Sequence, residues 1–289
     1  MVDKHQANKR WWNASSKDWK ERRESEWREC IRNPSLGFPR GSFRLINQFI
    51  KDFEDKNVCV LGSGDNFSSF VLASLGSKVT SVDISQEQLK TASERAKELN
   101  LEITFIQGDA TKCSFLDDNA FDFVCSTNGF YIWISDLSAL FTEVFRILKP
   151  DGYFMSYDIH PFLRPWKETN KIGILEMDKP YFSDNPIISY YHRLTGDFSY
   201  SEEKNIEINR EEIDEVYEHH WTLSDLLNPM LDSGLRLLKI LEETAERDFY
   251  DEATIQDKTE EIDLLKWEVN PKAGLPSWLT FIAEKQVLK

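Results

Sequence analysis

Gly62, Gly64 and Asp83 are the residues whose types and spacing most directly suggest chemistry. The glycines form the turn Gly62-Ser63-Gly64, directly after the apolar run Val58-Cys59-Val60-Leu61. Such a run, short and rich in β-branched residues, reads as a strand buried on both faces. Asp65 and Asn66 follow, then the helical pattern Phe67, Phe70, Val71, Ala73 and Leu75, which Gly76 punctuates. A second strand, 78–82, stops at Asp83. Glycines in this position let backbone approach a ligand closely, and an acid about 20 positions on can accept hydrogen bonds from a ribose. The bland alternatives are ordinary turn glycines and a helix cap at Asp83.

A dinucleotide would want a third glycine at position 67, which is Phe, and a helix N-terminus free of negative charge, where Asp65 stands. Both features argue against a nicotinamide or flavin dinucleotide. They suit a ligand with an adenosine ribose and no phosphate, and S-adenosylmethionine fits that description.

The elements that must position these residues can be read along the chain. Trp12, Trp19 and Trp27 mark one face of a helix within the charged stretch 10–30, and 41–53 reads as a second helix. The segment 85–99 is a helix with Ser85 at its N-cap and Gln88 closing a capping box. Strands are expected at 103–107, 121–126 and 153–158, with a helix over 137–148. Residues 160–215 lose the α/β alternation and are rich in Pro and aromatics. A helix over 222–233 and strands at 235–241 and 278–284 complete the pattern, and the acidic stretch 242–268 between those strands reads as a partly helical excursion.

From about Asn57 to Ile159 the chain resembles the class I S-adenosylmethionine-dependent methyltransferase family. The matching pieces are Leu61-Gly62-Ser63-Gly64, Val82-Asp83-Ile84-Ser85, Gly108-Asp109-Ala110, Phe121-Asp122-Phe123-Val124 and 146–152. Each alone is common; in this order and spacing they are specific. The resemblance implies a doubly wound, seven-stranded, mostly parallel α/β sheet, a Rossmann-like methyltransferase fold. It implies an N-terminal helical lid (1–56), a cofactor-binding core (57–159), a substrate-side insertion after strand five (160–220) and a C-terminal part of the sheet (221–289). It also implies S-adenosylmethionine as cofactor, with Gly62, Ser63 and Gly64 at its methionine end, Asp83 on the ribose, Ile84 against the adenine and Asp109 and Ala110 at the adenine edge. Gln88, Ser126 and Asn128 are further candidates near the cofactor; for Asn128 a turn-forming role competes equally. The family carries an acid at the position of Val60 and a glycine at that of Asn66. The partner of the methionine ammonium therefore stays open, and Asn66 is either beside the cofactor or a helix cap.

Methyl transfer needs alignment above all, because the donor is already activated. A hydroxyl nucleophile would also need a base. His160 and His220 are the candidate bases, and each has a structural reading beside the catalytic one. Tyr131, Trp133 and Trp166 are candidate walls of the acceptor pocket, with core packing as the alternative. His219-His220 are adjacent, and no metal-ligand spacing is present.

Composition bounds the partners. The formal net charge is −15, and acidic residues flank the basic pair Arg22-Arg23, which disfavours a nucleic-acid substrate. No apolar run reaches the ~18 residues of a membrane span. The N-terminus lacks the apolar segment of a secretory signal. Cys30, Cys59, Cys113 and Cys125 form no CxxC pair; buried reduced thiols and a cytoplasmic location are expected. The expectation is an O- or N-methyltransferase for a small acceptor. Its rivals are a non-catalytic S-adenosylmethionine-binding module and a nucleotide-dependent oxidoreductase.

Overall fold

The computed structural model describes residues 3–127, 129–166, 174–183, 185–194, 196, 213–244 and 265–286. The expected acidic excursion falls largely outside the described residues, as does Asn128.

Strand alternation and helical stripes build two core layers on one sheet. In β1 (Asn57–Leu61), Val58 and Val60 face one side and Cys59 and Leu61 the other, as the two-residue period of a strand requires. The first side packs against α2 (Ser42–Phe49), α3 (Phe67–Ser74) and α4 (Gln86–Glu98). The second packs against α5 (Leu137–Ile147) and α6 (Leu223–Asp232), through Leu140, Phe141, Val144, Leu226 and Met230. All four cysteines are buried free thiols.

The remaining strands of the sheet are β2 (Lys78–Asp83), β3 (Ile103–Gln107), β4 (Phe121–Thr127), β5 (Leu148–Ile159), β8 (Leu235–Glu243) and β9 (Trp278–Lys285). Their order is β3-β2-β1-β4-β5-β9-β8. Strands β1 to β5 pair in parallel, and β9 runs antiparallel to both β5 and β8. Strand order reverses between β1 and β4, and open α/β sheets bind ligands at the carboxyl edge of such a switch point.

Two additions reach that edge. Helix α1 (Lys4–Arg22) begins at an Asp3 cap and contributes one wall of the cavity there. The helix stops before Trp27, so the expected three-tryptophan face is split: Trp12 and Trp19 stay together (5.7 Å between rings), whereas Trp27 joins the core under α3 and α4. Within the stretch 160–215, β6 (Ile187–His192) pairs antiparallel with β7 (Ile213–Glu218) as a separate two-stranded sheet. Asn8 of α1 binds this pair as a strand would. Its Nδ2 donates to the Tyr217 carbonyl (2.8 Å), and the Tyr217 N–H donates to its Oδ1 (2.8 Å). Trp11 packs on Tyr191 and Val216 and stacks on Trp133 (4.7 Å, 26°).

Candidate active site

A cavity of about 320 Å³ opens at the carboxyl ends of β1, β2, β4 and β5, between the sheet and α1. Its floor is the glycine turn. Gly62 (φ +58°), Gly64 (φ +48°) and Asn66 (φ 64°) are all left-handed, a region that glycine enters freely and that Asn tolerates best among larger residues. A side chain at Gly62 would strike the Phe130 ring at 2.2 Å. One at Gly64 would meet nothing within 4 Å and would project into open space. Asn66 holds the turn from beneath: it donates to the Gly64 carbonyl (2.9 Å) and accepts from Ser81, which also bonds Ser63. It neither lines the cavity nor caps α3 with its side chain.

Asp83, at the end of β2, ties this turn to the next. Its Oδ2 accepts from the Gly64 N–H and its Oδ1 from the Ser85 N–H, both at 2.8 Å. Burial pushes its pKa up, against three backbone N–H donors. Asp109 closes the adjoining wall. His5 of α1 donates from Nδ1 to Asp109 Oδ2 (2.7 Å), and Thr111 donates twice to Oδ1. The Ser135 N–H donates to His5 Nε2 (3.0 Å), which fixes the tautomer with its proton on Nδ1. Burial pushes the Asp109 carboxyl up, but the His5 and Thr111 bonds outweigh it and bring the group down to about 2. Arg23 stands beyond the end of α1, bonded to Asp65 (2.8 Å) and lying 4.1 Å over the Phe67 ring, so the charge of Asp65 is answered from the N-terminal segment.

A buried carboxylate shapes the opposite end. Asp158 accepts from the backbone N–H groups of Gly129, Phe130, Tyr131 and Ile159, between 2.6 and 3.0 Å. It thereby fixes the 3₁₀ turn Tyr131–Trp133. The turn presents Ile132 and Trp133 to the cavity and sends the Tyr131 ring into the core against Phe141 and Phe281.

Gly62, Ser63, Gly64, Asp83, Ile84, Gln88, Asp109, Ala110 and Trp133 thus line one cavity. The capping bond at α4 runs from the Gln88 N–H to Ser85 Oγ, and the Gln88 side chain sits at the cavity rather than completing a box. Ser126, Tyr131, Trp166, His160 and His220 lie outside the lining. The Ser126 hydroxyl meets Ser156 (3.1 Å), and alternation turns Thr127 to the cavity instead. Trp166 packs edge-on to Phe162 (5.8 Å). His160 is buried, its Nδ1 accepting from the Phe162 N–H (3.1 Å) and its Nε2 facing Glu242 (2.9 Å); burial lowers its pKa against the pull of Glu242. His220 is driven down to about 3 by burial, with Arg164 and Lys179 adding to it.

Sequence reasoning missed His5, Asn8, Arg23, Arg164 and Glu218 at the cavity. For His5 and Asn8 a signal existed: they precede Trp12 at helical spacings and extend the Trp12–Trp19 face toward the N-terminus. For Arg164 and Glu218, in the aperiodic stretch, none did.

The fold and this site define a class: a Rossmann-like α/β sheet domain with a cavity at the carboxyl edge of its switch point, similar to class I S-adenosylmethionine-dependent methyltransferases. Residues 59–156 match the family described as "Methyltransferase domain". A demethylmenaquinone methyltransferase of Leptospira interrogans is 34% identical over 124 residues, covering 42% of this chain and 49% of the relative. A fatty-acid O-methyltransferase of Mycolicibacterium smegmatis is 28% identical over 141 residues, covering 45% and 50%. The chain thus spans about half the length of these relatives. In fold it is similar to an S-adenosylmethionine-dependent methyltransferase of Mesorhizobium loti, at a TM-score of 0.56 and 20% identity over 85% of this chain and 98% of that one. Among the described residues, no helix is long and apolar enough to cross a membrane.

Proposed function

We propose that the protein is an S-adenosylmethionine-dependent methyltransferase acting on a small-molecule acceptor at oxygen or nitrogen. The observation that carries this reading is the open side of Gly64, which faces a cavity bounded by Asp83 and Asp109. The residues present fit the cofactor. Asp83 keeps lone pairs for ribose hydroxyls beyond those used by Gly64 and Ser85. Ile84 and Ala110 offer apolar surface for the adenine. Asp65 and Arg23 set a carboxylate beside a guanidinium next to Gly64, a pair complementary to an amino-acid zwitterion and a substitute for the acid absent at Val60.

When bound, S-adenosylmethionine supplies an electrophilic methyl group. The chain's part is to hold donor and acceptor in line and to exclude water. Asp158 supports this by fixing the backbone of 129–131, which carries one wall of the cavity. Helix α1 supports it by covering the cavity with Trp12 and Trp19. The two relatives, named for demethylmenaquinone and a fatty acid, favour a small-molecule acceptor. Calorimetric titration of S-adenosylmethionine, followed by transfer of its labelled methyl group to an acceptor panel, tests the reading. Binding without transfer to any acceptor would favour the non-catalytic module, and absence of binding would end the proposal.

A further inference from the structure

Arg164 is the residue at the cavity that the cofactor does not explain. It follows β5 and lines the cavity together with Ile132 and Glu218, and among the described residues its guanidinium makes no hydrogen bond or ion pair. Neither nearby acid takes it up. Asp158 is saturated by backbone N–H groups, and Glu218 accepts from the Ser189 hydroxyl (3.0 Å). Burial pulls the Arg164 pKa below its ordinary value, with Asp158 and Glu218 opposing. An enclosed cation with its donors unused is costly unless water or an anion pairs with it. Its planar fork suits a carboxylate best.

The geometry points to an acceptor that is an apolar carboxylic acid, its carboxylate held by Arg164 and methylated on oxygen. This inference rests on the methyltransferase reading above. Position assigns Arg164 to the acceptor rather than to the cofactor. The glycine turn follows β1, and β5 lies two strands away, roughly 10 Å at ordinary strand spacing. Arg23 already stands at the glycine-turn end. Beside Glu218, the same cavity carries the apolar side chains of Trp12, Ile132, Trp133 and Ile159.

The histidines agree. His160 and His220 lie outside the cavity, and both ring nitrogens of His5 are engaged, by Asp109 and Ser135. An acceptor that arrives ionised needs no base. Its carboxylate oxygen forms a bond to the methyl carbon as the carbon–sulfur bond breaks. The electron pair of that bond stays on sulfur, and no proton is transferred. The products are a methyl ester and S-adenosylhomocysteine.

The test uses the full chain and calorimetry with octanoate and phenylacetate, each against the matching alcohol and amine, followed by labelled methyl transfer. The acids should bind at least about tenfold more tightly than their neutral or cationic counterparts and should be the ones methylated. Arg164→Met should weaken acid binding on the order of 10- to 100-fold and raise KM, with S-adenosylmethionine affinity near parental. Arg164→Lys, which keeps the charge, should fall between and guards against a folding defect. Glu218→Gln, which removes a neighbouring negative charge, should tighten acid binding.

Equal binding of alcohol and acid would overturn the inference. So would an Arg164→Met protein that loses cofactor affinity instead of acid affinity, or a Glu218→Gln protein that binds acid but no longer transfers. Arg164-dependent acid binding in a chain that does not bind S-adenosylmethionine would sustain the anion site and overturn the methyltransferase reading. Cofactor binding without acid binding would do the reverse.

Discussion

At the β1–β2 end of the cavity, the Gly64 N–H meets the Asp83 carboxylate across 19 residues of chain. At the β4–β5 end, Asn8 meets Tyr217 across 209. The first end is a strand, a turn, a helix and a strand; the bonds that shape its turn lie within one supersecondary unit, and Arg23 reaches Asp65 there from the N-terminal segment. The second is assembled from α1, the β6–β7 pair and the residues that follow β4 and β5. Its geometry exists only after distant segments have docked. The difference separates an end set mainly by local structure, where we propose the cofactor binds, from an end set by assembly, where we propose the acceptor binds, and mutations should disturb the two unequally.

The largest effect is expected at the local end. Gly64→Val puts a β-branched side chain at φ +48° and fills the open space above the turn, so cofactor affinity should fall by more than about 10³-fold. Calorimetry on the folded variant checks this, and parental affinity there would show that the ligand does not approach Gly64. Asp83→Ala should weaken S-adenosylmethionine binding roughly 10- to 100-fold by removing charge-assisted hydrogen bonds, with acid binding at Arg164 much less affected. Equal losses at both ends would dissolve the distinction.

The assembled end should yield in stability. Asn8→Ala leaves the Tyr217 N–H and carbonyl without their partner and should cost on the order of 1–3 kcal/mol. Hydrogen exchange should quicken in β7 while the β1–β2 unit keeps its protection. Uniform acceleration would mean that the two ends unfold together.

Asp109 joins the two ends through His5, and its titration offers a gentler probe. Its folded pKa, about 2, lies below the ordinary aspartate value of 3.8, so its stabilisation is fully present above about pH 4 and is lost as pH falls toward 2. The loss should be on the order of 1–2 kcal/mol, and Asp109→Asn should remove that part of the acid dependence. Thermal unfolding of both proteins across this range decides the point; identical acid profiles would detach Asp109 from the coupling.

The smallest effect is expected at His160. His160→Gln should lower stability by about 1 kcal/mol or less through the lost Glu242 and Phe162 contacts and leave kcat near parental. A base at this position would instead cost about 10²- to 10⁴-fold in rate.

The sequence by itself determined the sheet core and the glycine turn with its Asp83. The apolar strands, the left-handed glycines and Asp83 are local signals, and short-range sterics and hydrogen bonding give each one outcome. Tertiary structure alone decided the roof and the acceptor end. Alternation along β5 turns Ile159 into the cavity and leaves His160 facing Glu242, though sequence position made His160 look exposed to the ligand. Backbone N–H groups from a distant loop converted Asp158 from an ordinary strand-end acid into the anchor of the cavity wall. Arg164 and Glu218, from the two ends of a stretch without periodicity, line one cavity only in the folded chain. Side-chain direction and partnership at such positions depend on which distant surfaces meet, and no local pattern encodes that.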